Sequence, residues 1–249
     1  MHLSSGTIKP ETMVGEIVSG DYRTADVFKK FGIEYCCGAK RTLQQACEMT
    51  GLDVKEVETE LNNVIRNIRV SSTLDFSEWP VDFLVEYIQK LHHSYLKQAF
   101  PDVLERLERF VPGHKNKYPH VAKVLDILKE VYKYLITHID AEEKTIFPYV
   151  RQVNNALKNS AEYGSLLVRT LRKPIDKTIV NEQGELRKLL YELRLHSNDY
   201  SIDGATCLSY NVIMQKIREI DCDLAQYIYI EHSVLLPKVT YIENELLRL

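Results

Sequence analysis

Glycine and proline are scarce in this chain, 10 and 8 among 249 residues. That scarcity argues against a fold rich in tight turns and for long helices with few interruptions. Nor does any apolar run approach the roughly 18 residues that a membrane-spanning helix needs, so a membrane protein is not expected. Charge is nearly balanced, at −3 overall, and nothing electrostatic advertises nucleic acid or an anionic membrane. The five cysteines (Cys36, Cys37, Cys47, Cys207 and Cys222) are odd in number and irregularly spaced. A disulfide framework is therefore not expected, and a reducing cytoplasm is. The first residues, MHLSSGTIKPETM, lack the charged and apolar regions of a signal peptide.

What is present is helical patterning throughout. Residues 11–66 read as short helices: TMVGEIVSGDY, then RTADVFKKFGI with Gly32 placed to end it, RTLQQACEMTGL, and DVKEVETELNNVIRNI with Asp53 as N-cap. The polar stretch RVSSTLDFSEWP breaks the pattern, and a domain boundary is expected near 68–79. This gives a small helical N-terminal domain over 1–70 and a larger one over 79–249. In the larger domain helices are expected from Pro80 to about 110, over 119–154, over 174–197 (a short helix at 162–172 preceding it), and over 205–247 with a bend at Pro237. VPGHKNKYP marks a break. Four long helices with short connections predict an all-α, up-down four-helix bundle.

The inward faces of these helices carry the functional signal. Inward positions of a bundle helix recur every three or four residues. The second long helix reads Val124, Leu128, Val131, Leu135, His138, Glu142; the fourth reads Ile213, Ile217, Ile220, Leu224, Tyr227, Glu231; the third reads Ile175, Ile179, Glu182, Leu186, Leu189, Leu193. Three carboxylates and an imidazole thus stand on otherwise aliphatic stripes. An unpaired buried ion costs at least several kcal/mol, against a domain stability of about 5–15 kcal/mol. No Lys or Arg falls on these stripes, so a cation is the economical partner. His138 and Glu142, four apart, share a helix face about 6 Å apart along the axis. Imidazole with carboxylate points to iron, manganese or zinc, and facing helices of a bundle often hold two iron ions.

THIDAEEKTIFP (137–148) and QYIYIEHSVLLP (226–237) also align without gaps: His138 on Tyr227, Glu142 on Glu231, Pro148 on Pro237. The chain repeats one device on two helices. The first long helix holds His92-His93, and its apolar positions Leu84, Ile88, Leu91 and Tyr95 leave either histidine able to flank the core.

These motifs resemble the repair-of-iron-centres family, di-iron proteins built on a hemerythrin-like bundle. VFKKFGIEYCCGAKRTLQQAC is similar to that family's N-terminal domain, with its adjacent cysteine pair and glycine. HHSYLKQAFP resembles its first ligand motif, where the ligand lies eight residues before the proline, which selects His93. THIDAEEKTIFP supplies His138 and Glu142, and QYIYIEHSVLLP supplies Glu231. The chain departs from the family at two positions, where the family has histidine and this sequence has Glu182 and Tyr227. Both residues still bind iron readily, and the set becomes harder and more anionic, favouring ferric iron or manganese. The opposite expectation is a degenerate site that has lost an ion.

The resemblance implies two non-haem iron ions and a role in protecting or repairing iron–sulfur clusters under nitrosative or oxidative stress. Client iron–sulfur proteins and the small molecules NO and O2 would be its partners, and it leaves a homodimer open. Cys36 and Cys37 would act as the reactive pair. The alternative is a hemerythrin-like protein that binds iron, O2 or NO without turnover.

Overall fold

The computed structural model describes residues 8–36, 38–65 and 75–248, with the side chains of 173–183 excepted. The described residues are helical, with no strand among them beyond an isolated bridge between Met13 and Thr42. The chain divides into two units, residues 1–72 with 200–216, and residues 73–199 with 217–249.

The first unit holds four short helices: α1 (Val14–Gly20), α2 (Thr24–Lys30), α3 (Leu43–Thr50) and α4 (Val54–Ile65). Thr42 and Gln45 form a reciprocal capping box at the start of α3, satisfying N–H groups that a helix end leaves open. Asp53 accepts from the Lys55 N–H at 2.9 Å at the start of α4, as an N-cap does. The core is apolar: Val14, Ile17, Phe28, Leu43, Val57 and Leu61 are buried together. Val212 joins that cluster. Residues 200–216, read from sequence as loop and bundle helix, therefore belong to this unit. Burial of Val212 among the N-terminal helices is the physical reason.

The second unit is a bundle. Its first helix comprises α5 (Val81–Tyr87), a wide π-helical turn Ile88–His93, and α6 (Ser94–His114). The second comprises α7 (Val121–Ala141), a π-turn Glu142–Ile146, and α8 (Phe147–Lys158). The third is α9 (Gly164–His196). The last comprises α10 (Leu208–Tyr229) from Ile217 onward, a π-turn Ile230–Leu235, and α11 (Leu236–Arg248). α7 packs on α6 and α9, α11 packs on α8 and α9, and α5 meets the Ile230–Leu235 turn, which closes the bundle.

The bundle differs from expectation in two places. α6 continues through Pro112 to His114, beyond the expected break. α9 is one helix of 33 residues, where a short helix and a separate longer one were expected.

Candidate metal centre

The predicted stripes on the second and last helices point inward. Val124, Leu128, Val131, Leu135, His138 and Glu142 are buried, as are Ile213, Ile217, Ile220, Leu224, Tyr227 and Glu231. Along the last turns of α9, Leu186, Leu190 and Leu193 are buried, so Leu189 yields to its neighbour. Glu182, with Ile175 and Ile179, falls in the stretch whose side chains lie outside the described residues, and Cys37 also lies outside them.

On the first helix the expected stripe fails at Leu91, which is 52% exposed, while His92 and His93 are both buried. The cause is the π-turn at 88–93. Its hydrogen bonds span five residues rather than four, which inserts one residue and turns the following side chains around the axis.

The other two π-turns explain the repeated Glu-x5-Pro spacing. The N–H of Phe147 reaches the carbonyl of Glu142, and the N–H of Leu236 reaches that of Glu231, each five residues back. In both cases the next residue is proline, which has no N–H and whose ring crowds the carbonyl four residues before it. A wide turn ahead of the proline accommodates that crowding. Such turns concentrate at functional sites, and here each one begins at or one residue before a buried glutamate.

The side chains converge. Nitrogen and carboxylate oxygen atoms of His138, Glu142 and Glu231 lie within 4.8 Å of one another, all buried. His138 Nε2 stands 3.6 Å from both Glu142 Oε2 and Glu231 Oε2. His93 spans two carboxylates, with Nε2 3.1 Å from Glu142 Oε2 and Nδ1 2.9 Å from Glu143 Oε1. Tyr227 donates its hydroxyl to Glu142 Oε2 in a very short hydrogen bond. The structure thus brings together His93, His138, Glu142, Tyr227 and Glu231. His232 Nε2 lies 3.3 Å from Glu231 Oε2. A pocket lined by Tyr134, His138, Leu186, Arg187, Tyr227, Ile228, Glu231 and His232 borders the cluster.

The electrostatics are those of a crowded anionic core. Burial, and then the neighbouring Glu231 carboxylate, push the Glu142 carboxyl up, against the pull of His93 and His138. Burial also opposes ionisation of Glu231, but His138 outweighs it and holds that carboxyl below its usual value. Glu142 Oε1 and both Glu231 oxygens are buried without a hydrogen-bond partner. Buried carboxylate oxygens rarely stay unsatisfied, because each costs its full desolvation. Orphaned oxygens beside imidazole nitrogens fit a hard or borderline cation such as iron, manganese or zinc.

Sequence reasoning missed two residues. Glu143 anchors His93, and Lys97 donates to both Glu143 oxygens at 2.8 Å. Burial works against ionising Glu143, but Lys97 and His93 prevail and hold its carboxyl below the usual range. Asp223 anchors His92, with Oδ1 3.1 Å from Nδ1. The available signal for Asp223 was its place four residues before Tyr227, on the same helix face. Glu143 carried no signal beyond adjacency to Glu142.

In the first unit Cys36 is half-buried and carries a free thiol. The glycine that follows the cysteine pair has a steric reason. A side chain at Gly38 would run into the Glu34 carbonyl oxygen, so the backbone at Gly38 approaches Glu34 more closely than any other residue permits.

Known proteins match over the same two regions. The hemerythrin HHE cation binding domain covers residues 85–239, and a domain of unknown function (ScdA_N, DUF542) covers residues 10–65. The iron-sulfur cluster repair protein ScdA of Staphylococcus epidermidis is 24% identical over 94% of this chain and 100% of its own length. ScdA of Staphylococcus haemolyticus is 20% identical over 93% and 99%. The iron-sulfur cluster repair protein YtfE of Escherichia coli O157:H7 is 25% identical over 90% and 94%. Among the described residues, no helix is long and apolar enough to cross a membrane.

Proposed function

This chain belongs to the hemerythrin HHE cation-binding family, beside the iron-centre repair proteins that it resembles, and from that premise we propose that it is a non-haem di-iron protein that repairs iron–sulfur clusters damaged by nitrosative or oxidative stress. The observation that carries the reading is the buried cluster of His138, Glu142 and Glu231, whose orphaned carboxylate oxygens call for a cation. Glu142, Glu231, His93 and His138 would hold the ions. Tyr227 and Glu182 would complete the set, Glu182 by its sequence position four residues before buried Leu186. Iron held there would supply one-electron redox chemistry and a position for a diatomic ligand.

The protein's own contribution is positioning and exclusion. Glu143, braced by Lys97, fixes the His93 ring and its tautomer, as outer carboxylates do for metal-bound imidazoles. Tyr227 holds a proton against Glu142 Oε2. The aliphatic stripe above His138 keeps bulk water out, and the pocket beside Glu231 admits molecules the size of NO or O2. Cys36 and Cys37 would be the pair that meets the client protein. A cytoplasmic location fits the free thiol of Cys36.

Iron per chain, counted after anaerobic loading, and recovery of a purified iron–sulfur hydratase inactivated by nitric oxide test this reading. About two iron ions per chain and recovery above that with free ferrous ion are expected. Iron-loaded protein that gives no recovery overturns the repair role. Replacing Cys36 with Ser should lower recovery and leave iron content unchanged.

A further inference from the structure

His92 is unaccounted for by the ligand set above. It is 2% exposed, and its Nε2 is buried with no hydrogen-bond partner. Its Nδ1 is held by Asp223 Oδ1 at 3.1 Å, and its ring stacks on Tyr227 at 6.0 Å between centroids with 27° between planes. Tyr87 packs edge-on against its other side at 5.5 Å. The ring is therefore fixed in position and orientation, with one nitrogen anchored by a carboxylate and the other open. His93 is anchored at Nδ1 in the same way, with Glu143 in the role of Asp223, while its Nε2 reaches Glu142 Oε2. A histidine whose Nδ1 donates to a carboxylate while Nε2 stays free is prepared to bind a metal. Leaving that nitrogen bare in a protein interior otherwise costs its desolvation. Position 227, against which this ring stacks, is one where the related family carries histidine and this chain carries tyrosine.

We propose that His92 Nε2 is a further metal ligand, supplying from the first helix the imidazole that position 227 lacks. The π-turn at Ile88–His93 is what makes this possible, since it turns two consecutive histidines into the core. Tyr227 and His92 then divide between them what one histidine does in the family: the phenol is tied to Glu142 and the imidazole takes the ion. Asp223 is a positioning residue, acting through His92. The proposal rests on the metal-binding reading above.

The test is anaerobic ferrous titration of the full chain, with iron counted after desalting and affinity measured by chelator competition. His92→Gln should retain one iron fewer than the wild type, or hold it at least about 10-fold more weakly. Asp223→Asn, which keeps the ring, should weaken one ion about 10–100-fold, the range for a lost outer partner. Adding Tyr227→His to His92→Gln should restore the count. Loss without that rescue marks a packing role and overturns the proposal, as does wild-type binding by His92→Gln. Should His92→Gln lose its helical circular dichroism, Asp223→Asn decides, and wild-type affinity there is the overturning result. A wild-type protein that takes up no iron overturns the metal reading itself, whereas uptake with indifference to His92 overturns only this step.

Discussion

Residues 137–148 and 226–237 are built alike and behave differently. Both end a helix in a π-turn closed from the residue before proline back to the glutamate carbonyl. Both bury that glutamate completely. Yet Glu142 Oε2 gathers Tyr227 and His93, while neither oxygen of Glu231 receives a hydrogen bond. Glu142 is pushed up by burial and by Glu231, while His138 pulls Glu231 down in spite of burial. The backbone device sets where a carboxylate stands, and its neighbours set which protonation state it prefers. Without a cation the two close carboxylates oppose each other's ionisation. With a cation both can ionise.

The largest expected effect comes from removing either carboxylate. Glu142→Ala and Glu231→Ala should each abolish stable iron retention, measured as iron per chain. A ligand at 100 times its Kd stabilises by about 2.7 kcal/mol, and each kcal/mol moves Tm by about 2–4 °C in a chain of this size. Iron-loaded wild type should therefore melt roughly 5–10 °C above either variant. Equal melting temperatures would mean that the cluster holds no metal under those conditions.

The metal-free protein should separate the two glutamates by sign. Glu142 has a raised carboxyl in the fold, so its contribution is full below its ordinary value of 4.5 and is lost as pH rises through the folded value. Glu231, held low, contributes above its ordinary value of 4.5 and loses that as pH falls. Glu142→Gln should leave only the second slope, so that metal-free melting temperature falls with falling pH. At neutral pH the same variant should be no less stable than wild type, because an unfavourable buried charge is gone. A metal-free Glu142→Gln protein that melts well below wild type would break this account of the pair.

Tyr227 stands where the first repeat has His138. Tyr227→Phe removes a hydrogen bond to a buried carboxylate, worth about 1.5–3 kcal/mol when charge is involved. A fall in Tm of a few degrees is expected. If its oxygen also binds ferric iron, the variant should lose a visible absorption band that the oxidised wild type shows. An unchanged spectrum would confine Tyr227 to hydrogen bonding.

Most of the fold and much of the cluster were legible because helical periodicity is a strong signal. The stripes ending in His138–Glu142 and Tyr227–Glu231 are buried along their whole length. Periodicity failed where the backbone leaves the α-register. At Ile88–His93 the inserted residue exposed Leu91 and buried both histidines, so counting by threes and fours could not decide between them. The anchor Glu143 was illegible because it sits off the stripe, where charge is ordinary, and Asp223 carried only its spacing to Tyr227. Pro112 misled in the other direction: a proline does not end a helix when the surrounding packing holds it, and buried Phe110 lies just before it.

The prolines that close the repeats test whether the π-turns are imposed by the chain or by the site. Pro148 and Pro237 deny an N–H to the carbonyls of Lys144 and Ser233, and a wide turn relieves the crowding. Alanine at either position restores the donor and makes a regular α-turn available. Such a turn would remove one residue from the register and rotate Glu142 or Glu231 out of the cluster. The π-turn at Ile88–His93, however, forms with no proline in the seven residues that follow it, so proline is not required to make one. Pro148→Ala and Pro237→Ala should therefore have the smallest effects in the series. Metal-free stability should rise, since proline is a poor interior helix residue. Iron affinity should fall less than about 10-fold, a loss smaller than that of an outer ligand partner. Chelator competition on the iron-loaded variants measures it. A loss as large as that of Glu142→Ala would mean that the prolines, and not the convergence of the side chains, hold the glutamates in place.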